Sequence, residues 1–130
     1  MPASLSPAMI HYMDSRILIV DDNPRFRALA AELLAARGFE LVEEVAGGEQ
    51  ALAAVAVECP GGVLLDINLP GLNGFEIAAL LAAVCPQTRI VLASADFRTI
   101  PAEILKTCPA VAFVSKQQLA VTDLQALFAA

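Results

Sequence analysis

Hydrophobic residues along the chain fall into two alternating kinds of segment. Five short runs are typical of β-strands, and four of them are continuously apolar, which favours strands that are covered on both faces of a sheet. These runs are RILIVDD (16–22), FELVEEVA (39–46), GGVLLDI (61–67), TRIVLASA (88–95) and AVAFVSK (110–116). The run at 39–46 alternates between apolar and polar positions and is expected nearer an edge of the sheet.

Apolar residues between these runs recur at the spacing of amphipathic helices. The predicted helices cover 23–38, 47–59, 73–85, a short stretch that begins at 99–101, and about 121–129. Asn73 and Glu76 have the spacing of a capping box, which supports a helix start at that point. Pro101 interrupts the fourth segment, so that helix is expected to be short.

A strand followed by a helix, repeated five times, predicts a parallel sheet with helices on both faces and right-handed crossovers. Functional sites in such sheets form at the carboxyl ends of the strands. Residues 16–130 are predicted to form this single domain. Residues 1–15 contain two prolines and no periodic pattern, and are predicted to be a flexible N-terminal tail.

The composition narrows the classes of partner. The chain of 130 residues is 58% apolar and 17% charged, which is typical of one packed domain. Its net charge of −6 gives no electrostatic footprint for nucleic acid or for an anionic membrane surface, so neither is expected as a partner. The first residues lack the pattern of a secretory signal, and a cytoplasmic location is therefore expected.

The histidine and cysteine residues do not indicate a catalytic or metal-binding site. His11 is the only histidine, which excludes a Ser-His-Asp triad and disfavours a histidine metal site. The three cysteines each precede a proline, at Cys59, Cys85 and Cys108. They are interpreted as small apolar residues at helix ends, in preference to a metal or redox role.

Polar side chains gather where the predicted strands end. The residues concerned are Asp21, Asp22, Asp66, Asn68, Ser94 and Lys116. Carboxylates that meet at one edge repel each other unless a cation intervenes, and their oxygens suit Mg²⁺. Lys116 and Ser94 supply a positive charge and a hydroxyl for phosphate oxygens. Together these groups indicate phosphoryl transfer to Asp66.

Each of these residues also has an ordinary interpretation when it is taken alone. Asp21 and Asp22 could cap a helix, Asp66 could belong to a turn before Pro70, and Lys116 could be a solvated charge. The conjunction of all of them at successive strand ends is what favours a site.

The chain resembles the receiver domain of two-component response regulators from residue 16 to about residue 129. The motif blocks that carry the resemblance are ILIVDDNPRFRALAAELLAARGFE, LLDINLPGLNGFE, VLASA and AFVSK. The resemblance implies a flavodoxin-like (βα)5 fold of three layers with strand order 2-1-3-4-5. It also implies a signalling role in a phosphorelay, and not that of an enzyme.

The resemblance assigns a role to each matching position. Asp66 would accept a phosphoryl group from a phosphohistidine of a sensor kinase or phosphotransfer protein. Asp22, Asp66 and the backbone carbonyl of Asn68 would hold Mg²⁺ or Mn²⁺, and Asp21 would reach the ion through water. Lys116 would pair with the phosphate.

A second group of matching positions concerns the phosphate and the response to it. Ser94 would turn to bind a phosphate oxygen, Asn68 would also contact the phosphate, and the small Ala95 would leave room for it. Phe113 would be an aromatic switch that enters the space vacated by Ser94. The spacing alone favours an ordinary core residue at Phe113 over a switch.

The chain departs from the family pattern at three places. Gln117 stands where a proline commonly follows the lysine, Pro101 interrupts the fourth helix, and the last helix has no Lys or Arg. Output through the fourth helix is therefore in doubt, and at most a weak dimer is expected. The downstream protein target is not evident, and the chain could act alone or belong to a longer regulator.

Two other functions stay open. A degenerate receiver could bind a partner without phosphorylation, although the complete set of acids disfavours this. An aspartate-nucleophile phosphatase is less favoured, because its D-x-D pair belongs on the first strand, whereas here Asp66 and Asn68 lie on the third.

Overall fold

The structure is a computed structural model that describes residues 14–130. Its elements in chain order are β1 (Arg16–Val20), α1 (Pro24–Ala36), β2 (Glu40–Val45), α2 (Gly48–Val57), β3 (Gly62–Asp66), α3 (Gly74–Val84), β4 (Arg89–Ser94), α4 (Ala102–Thr107), β5 (Ala112–Ser115), a 3-10 helix (Lys116–Val121) and α5 (Leu124–Ala129). The short α4 begins just after Pro101, as the sequence predicts.

The five strands form one sheet in the order β2-β1-β3-β4-β5, and every neighbouring pair is parallel. In the register of the central strands, Ile19 lies opposite Leu64, and Leu64 lies opposite Val91. The predicted flavodoxin-like fold is therefore confirmed. Since all five strands point the same way, their carboxyl ends share one edge.

Two hydrophobic layers cover the central strands. Leu18 and Val20 of β1 pack in a cluster with apolar residues of α2 and α3, whereas Ile17 and Ile19 pack with those of α1 and α5. This alternation follows the period of two residues in a strand. The continuously apolar runs are continuous because both faces of these strands are buried.

Polar side chains cap the starts of α1, α3 and α5. The Asn23 side chain accepts hydrogen bonds from the backbone N–H groups of Arg25 and Phe26, and the predicted capping box of Asn73 and Glu76 is present. The prediction that the last helix begins near residue 121 is wrong. The Asp123 side chain accepts a hydrogen bond from the N–H of Ala126, so Asp123 is the N-cap and α5 begins at Leu124. Residues up to Val121 belong to the preceding 3-10 helix.

The cysteine interpretation needs a correction. Cys59 and Cys85 form a disulfide bond, and Cys108 is free. The prediction that all three serve only as apolar residues at helix ends is therefore wrong for two of them. The reason is topological: α2 and α3 are consecutive crossovers, so both end at the amino edge of the sheet, where their last turns come together.

Within residues 14–130, no helix is long and apolar enough to cross a membrane. Most of the predicted N-terminal tail, residues 1–13, lies outside the described part of the chain.

Candidate functional site

Three carboxylates meet at the carboxyl edge of the sheet. Asp21 and Asp22 directly follow β1, and Asp66 is the last residue of the neighbouring β3. Their carboxylate oxygens lie within 4.8 Å of one another. Asp21 and Asp66 are 1% and 3% exposed, whereas Asp22 is exposed to solvent. The structure therefore places two buried acids and one exposed acid where an ion or a phosphate can approach.

Backbone turns hold the two buried acids in the same way. Oδ1 of Asp21 accepts a hydrogen bond of 2.8 Å from the N–H of Asn23. Oδ1 of Asp66 accepts one of 3.1 Å from the N–H of Asn68. Asn68 thus lies directly beside Asp66 in the loop that follows β3. One oxygen of each acid is thus fixed by the backbone, and the other, Oδ2, faces Lys116.

Lys116 supplies a positive charge between these acids. Its Nζ lies 2.6 Å from Oδ2 of Asp21 and 3.4 Å from Oδ2 of Asp66. The same Nζ lies 4.6 Å from the centre of the Phe26 ring, within the range of a cation–π contact. The lysine, which is the first residue after β5, is therefore directed towards the carboxylates from the far side of β4.

Burial raises the pKa of the Asp66 carboxyl above its ordinary value of 3.8. The nearby charge of Asp21 raises this pKa further, whereas the Asn68 N–H and Lys116 act in the opposite direction. Asp66 is thus a carboxylate whose negative charge is only partly compensated by the protein itself.

This shift predicts a pH dependence of stability in metal-free protein. Because the folded-state pKa of Asp66 is raised, the folded protein binds this proton more tightly than the unfolded chain does. The contribution of Asp66 to stability therefore increases as the pH falls through the raised value towards 3.8. The measurement is the Tm of the wild type minus that of Asp66→Asn, with chelator, between about pH 7 and about pH 4.5. A difference that stays constant or decreases on acidification would contradict the shift.

The residues present fit a divalent metal ion. Oδ2 of Asp21 is buried and, apart from its ion pair with Lys116, has no hydrogen-bond partner among the described residues. Two further carboxylates lie close to it, and one of them is open to solvent. Several carboxylate oxygens with room for water are the ligands that Mg²⁺ prefers. The donor set is therefore suited to Mg²⁺ or Mn²⁺.

The two predicted switch residues, Ser94 and Phe113, lie near this edge, and their side chains contact other residues. Ser94 is buried at the end of β4, where its Oγ donates to the carbonyl of Asp96 and accepts from the N–H of Asp96, both at 3.0 Å. Phe113 on β5 is half-buried, and its ring packs edge-on against Phe97 with centroids 5.8 Å apart. The side-chain hydrogen bonds of Ser94 among the described residues thus go to Asp96 and not to the three acids.

Two contacts at the site have no counterpart in the sequence-based predictions. Nε2 of Gln117 donates to the carbonyl of Ala95 at 3.1 Å, which ties the segment after β5 to the segment after β4. Nη1 of Arg27 donates to the carbonyl of Asp21 at 2.6 Å. Gln117 could have been found from its departure at a position that is commonly proline. Arg27 gave no such signal, because arginine on a helix is usually exposed.

Comparison with known proteins identifies the family. A family model described as the response regulator receiver domain matches residues 17–128. The chain belongs to the response regulator receiver domain family. Receiver domains are regulatory signalling modules that interact with histidine kinases or phosphotransfer proteins, and phosphorylation and Mg²⁺ are typical of them.

Individual relatives agree with this assignment. The chemotaxis protein CheY of Bacillus subtilis is 35% identical over 83 residues, which is 64% of this chain and 69% of CheY. Sporulation initiation phosphotransferase F of the same organism is 36% identical over 83 residues, 64% of this chain and 66% of the relative. Transcriptional regulatory protein TcrA of Mycobacterium tuberculosis is 40% identical over 80 residues, 62% of this chain and 31% of TcrA.

Solved receiver structures superpose on this domain. A LuxR-family response regulator from Aurantimonas has a TM-score of 0.78 and 27% identity, covering 88% of this chain and 84% of that one. TrrA from Thermotoga maritima, solved in complex with Mg²⁺–BeF, has a TM-score of 0.66 and 31% identity, covering 77% of this chain and 84% of TrrA. The chain spans about a third to a half of the length of the curated transcriptional regulators that it matches.

Proposed function

We propose that this receiver domain is a phosphorylation-dependent switch whose phosphoacceptor is Asp66. The observation that carries the proposal is the convergence of three carboxylates within 4.8 Å, with Lys116 beside two of them. Three carboxylates this close together, two of them buried, repel each other unless a cation neutralises them, and a bound cation can in turn attract an anionic phosphoryl group. The proposed donor is a phosphohistidine on a sensor kinase or a histidine phosphotransfer protein.

Phosphoryl transfer needs a nucleophile, a cation and a neutralised leaving group. A carboxylate oxygen of Asp66 would attack phosphorus, the bond from phosphorus to the donor imidazole would break, and the electron pair would leave on the imidazole nitrogen. Lys116 would then pair with the new phosphate, exchanging part of its contact with Asp66. Asn68 and Ala95 would border the phosphate.

Asp22, Asp66 and the backbone carbonyl of Asn68 would hold Mg²⁺ or Mn²⁺, with Asp21 in reach through water. When bound, the ion would neutralise the carboxylates and stabilise charge on the transferred phosphoryl group. Since Oδ2 of Asp21 is buried and already lies 2.6 Å from Lys116, this lysine competes with any direct ligation by Asp21.

The proposed output is a repacking of Ser94 and Phe113. For Ser94 to bind a phosphate oxygen, its Oγ must give up two hydrogen bonds with the backbone of Asp96. Phe113 must leave its edge-on contact with Phe97 to enter the vacated space. Both rearrangements are local, and a new dianion at Asp66 would favour them. The downstream target would be a protein that recognises the repacked form. The proposed location of this switch is the cytoplasm.

The test of this function is incubation with Mg²⁺ and acetyl phosphate, followed by intact mass spectrometry. The expected result is one added phosphoryl group that is more stable in acid than in alkali and that disappears with chelator. Absence of any adduct while the domain stays folded would favour a degenerate receiver that acts without phosphorylation. Continuous release of phosphate from small phosphoesters would favour a phosphatase.

Magnesium binding gives a separate prediction. Mg²⁺ at about ten times its dissociation constant is expected to raise the Tm by about 5 °C, because the ion binds only the folded domain. Asp22→Asn is expected to lose most of this increase while changing the metal-free Tm little, since Asp22 is exposed. Asp14→Asn, a carboxamide substitution outside the acidic cluster, is the matched control and should keep the full increase. An unchanged response in Asp22→Asn would remove this residue from the metal site.

A further inference from the structure

A disulfide bond fastens two helices at the edge of the sheet opposite the acidic site. Cys85 is the C-cap of α3, and Cys59 directly follows Glu58, the C-cap of α2. Their Cα atoms lie 5.7 Å apart, within the usual range for a disulfide. The bond therefore joins the last turns of two neighbouring helices that share one hydrophobic cluster.

The bond encloses the segment that carries the phosphoacceptor. The two cysteines are 26 positions apart, and β3, Asp66 and the whole of α3 lie between them. The first residue of α3, Gly74, donates its N–H to the carbonyl of Ile67, directly after Asp66. Helix α3 thus runs from the phosphoacceptor loop at one end to the disulfide at the other.

The two cysteine residues of the disulfide differ in exposure. Cys59 is exposed, whereas Cys85 is 2% exposed. A groove of about 960 Å³ between described residues at this edge is lined by both cysteines. A thiol in solution can therefore attack the sulfur of Cys59, with Cys85 as the leaving group.

The structure also has a place for the reduced form of Cys85. Its Sγ lies 3.9 Å from the carbonyl oxygen of Val55 in the last turn of α2. A disulfide sulfur has no proton, so this is only a contact while the bond is intact. After reduction the buried thiol would find an acceptor already in position, which lowers the cost of burying it.

We propose that Cys59 and Cys85 form a reversible thiol–disulfide site, by which a dithiol reductant releases the ends of α2 and α3 from each other. One thiolate of the dithiol attacks Sγ of Cys59, the protein S–S bond breaks, and its electron pair leaves on Cys85, which takes up a proton. The second thiolate attacks the reductant's own sulfur in the mixed disulfide. Cys59 leaves and is protonated, and the reductant becomes a cyclic disulfide after giving two electrons. A disulfide oxidant such as oxidised glutathione reverses the exchange.

The test counts thiols in protein that is kept folded. Oxidised protein is treated with dithiothreitol well below its Tm, freed of reductant, and titrated with a thiol reagent under denaturing conditions. One thiol, that of Cys108, is expected before treatment and three thiols after it. Treatment with oxidised glutathione should return the count to one thiol. The reduced form should melt about 10 °C lower, because the covalent loop no longer restricts the unfolded chain.

Variants separate the pair from the third cysteine. Cys108→Ser should give no thiols before reduction and two after it, with the same shift in Tm. Cys59→Ser/Cys85→Ser should show no dithiothreitol-dependent change in Tm. The same dithiothreitol concentration is also applied to the unfolded wild type. If it reduces the disulfide in the unfolded protein but not in the folded protein, the bond is a permanent structural crosslink and the proposal is wrong. Three thiols under all oxidising conditions would also overturn it. Neither readout depends on phosphorylation of Asp66.

Discussion

Asp66→Asn is expected to abolish the incorporation of a phosphoryl group from acetyl phosphate. The substitution removes the proposed nucleophile, since a carboxamide oxygen is a far weaker nucleophile than a carboxylate oxygen. It keeps the shape of the side chain, and the amide oxygen can still accept the hydrogen bond that the N–H of Asn68 makes with Asp66. Loss of modification should therefore be complete while the fold is retained. Intact mass spectrometry with Mg²⁺ present measures the phosphoryl incorporation, and the Tm shows whether the fold is retained.

The control for Asp66→Asn is the same chemical change at an exposed carboxylate outside the site. Asp14 lies next to the amino end of β1, where it pairs with Arg16 at 2.7 Å, and it should tolerate Asn with normal phosphorylation. If Asp66→Asn still gains one phosphoryl group, the acceptor is another residue, and Asp21 and Asp22 are then the first candidates. If Asp66→Asn lost signalling but was still phosphorylated, Asp66 would be needed for the conformational switch and not as the phosphoacceptor.

The fold could be predicted from the sequence because its strongest signals are local. Each central strand is buried on both faces, so a run such as VLL at 63–65 is apolar without interruption. Strand-helix alternation and right-handed crossovers then leave few topologies. The acidic residues followed from the same step, since parallel strands bring their carboxyl ends to one edge.

The remaining contacts could not be predicted, because they depend on side-chain reach between segments distant in the chain. Lys116 is closest to Asp21, across β3 and β4, and no spacing in the sequence gives that preference. The Cys59–Cys85 bond likewise depends on where α2 and α3 end at the amino edge, to within a turn of helix. The start of α5 was misplaced because Asp123 outcompetes the apolar pattern as a helix cap.

Gly74→Ala is expected to destabilise the domain and to impair the acidic site together. A Cβ built on Gly74 would lie 2.4 Å from Cα of Ile67 and 2.6 Å from the carbonyl oxygen of Asp66. Both contacts are with backbone, so the α3 N-terminus or the segment around Asp66 must shift. Helix propensity alone would make alanine more favourable than glycine by about 1 kcal/mol inside a helix. Because overpacking typically costs about 1–3 kcal/mol, and backbone must move here, a net loss of roughly 2 kcal/mol is expected.

The measurement for Gly74→Ala pairs denaturant unfolding with the rate of phosphorylation by acetyl phosphate. Gly47→Ala is the control, because a Cβ there would meet only the flexible side chain of Gln50. That change should cost no more than about 1 kcal/mol, through the weaker N-cap of α2, and should leave phosphorylation unchanged. If Gly74→Ala proves more stable than the wild type, propensity outweighs the close contact. The close approach of α3 to Asp66 would then not be what sets the position of Asp66.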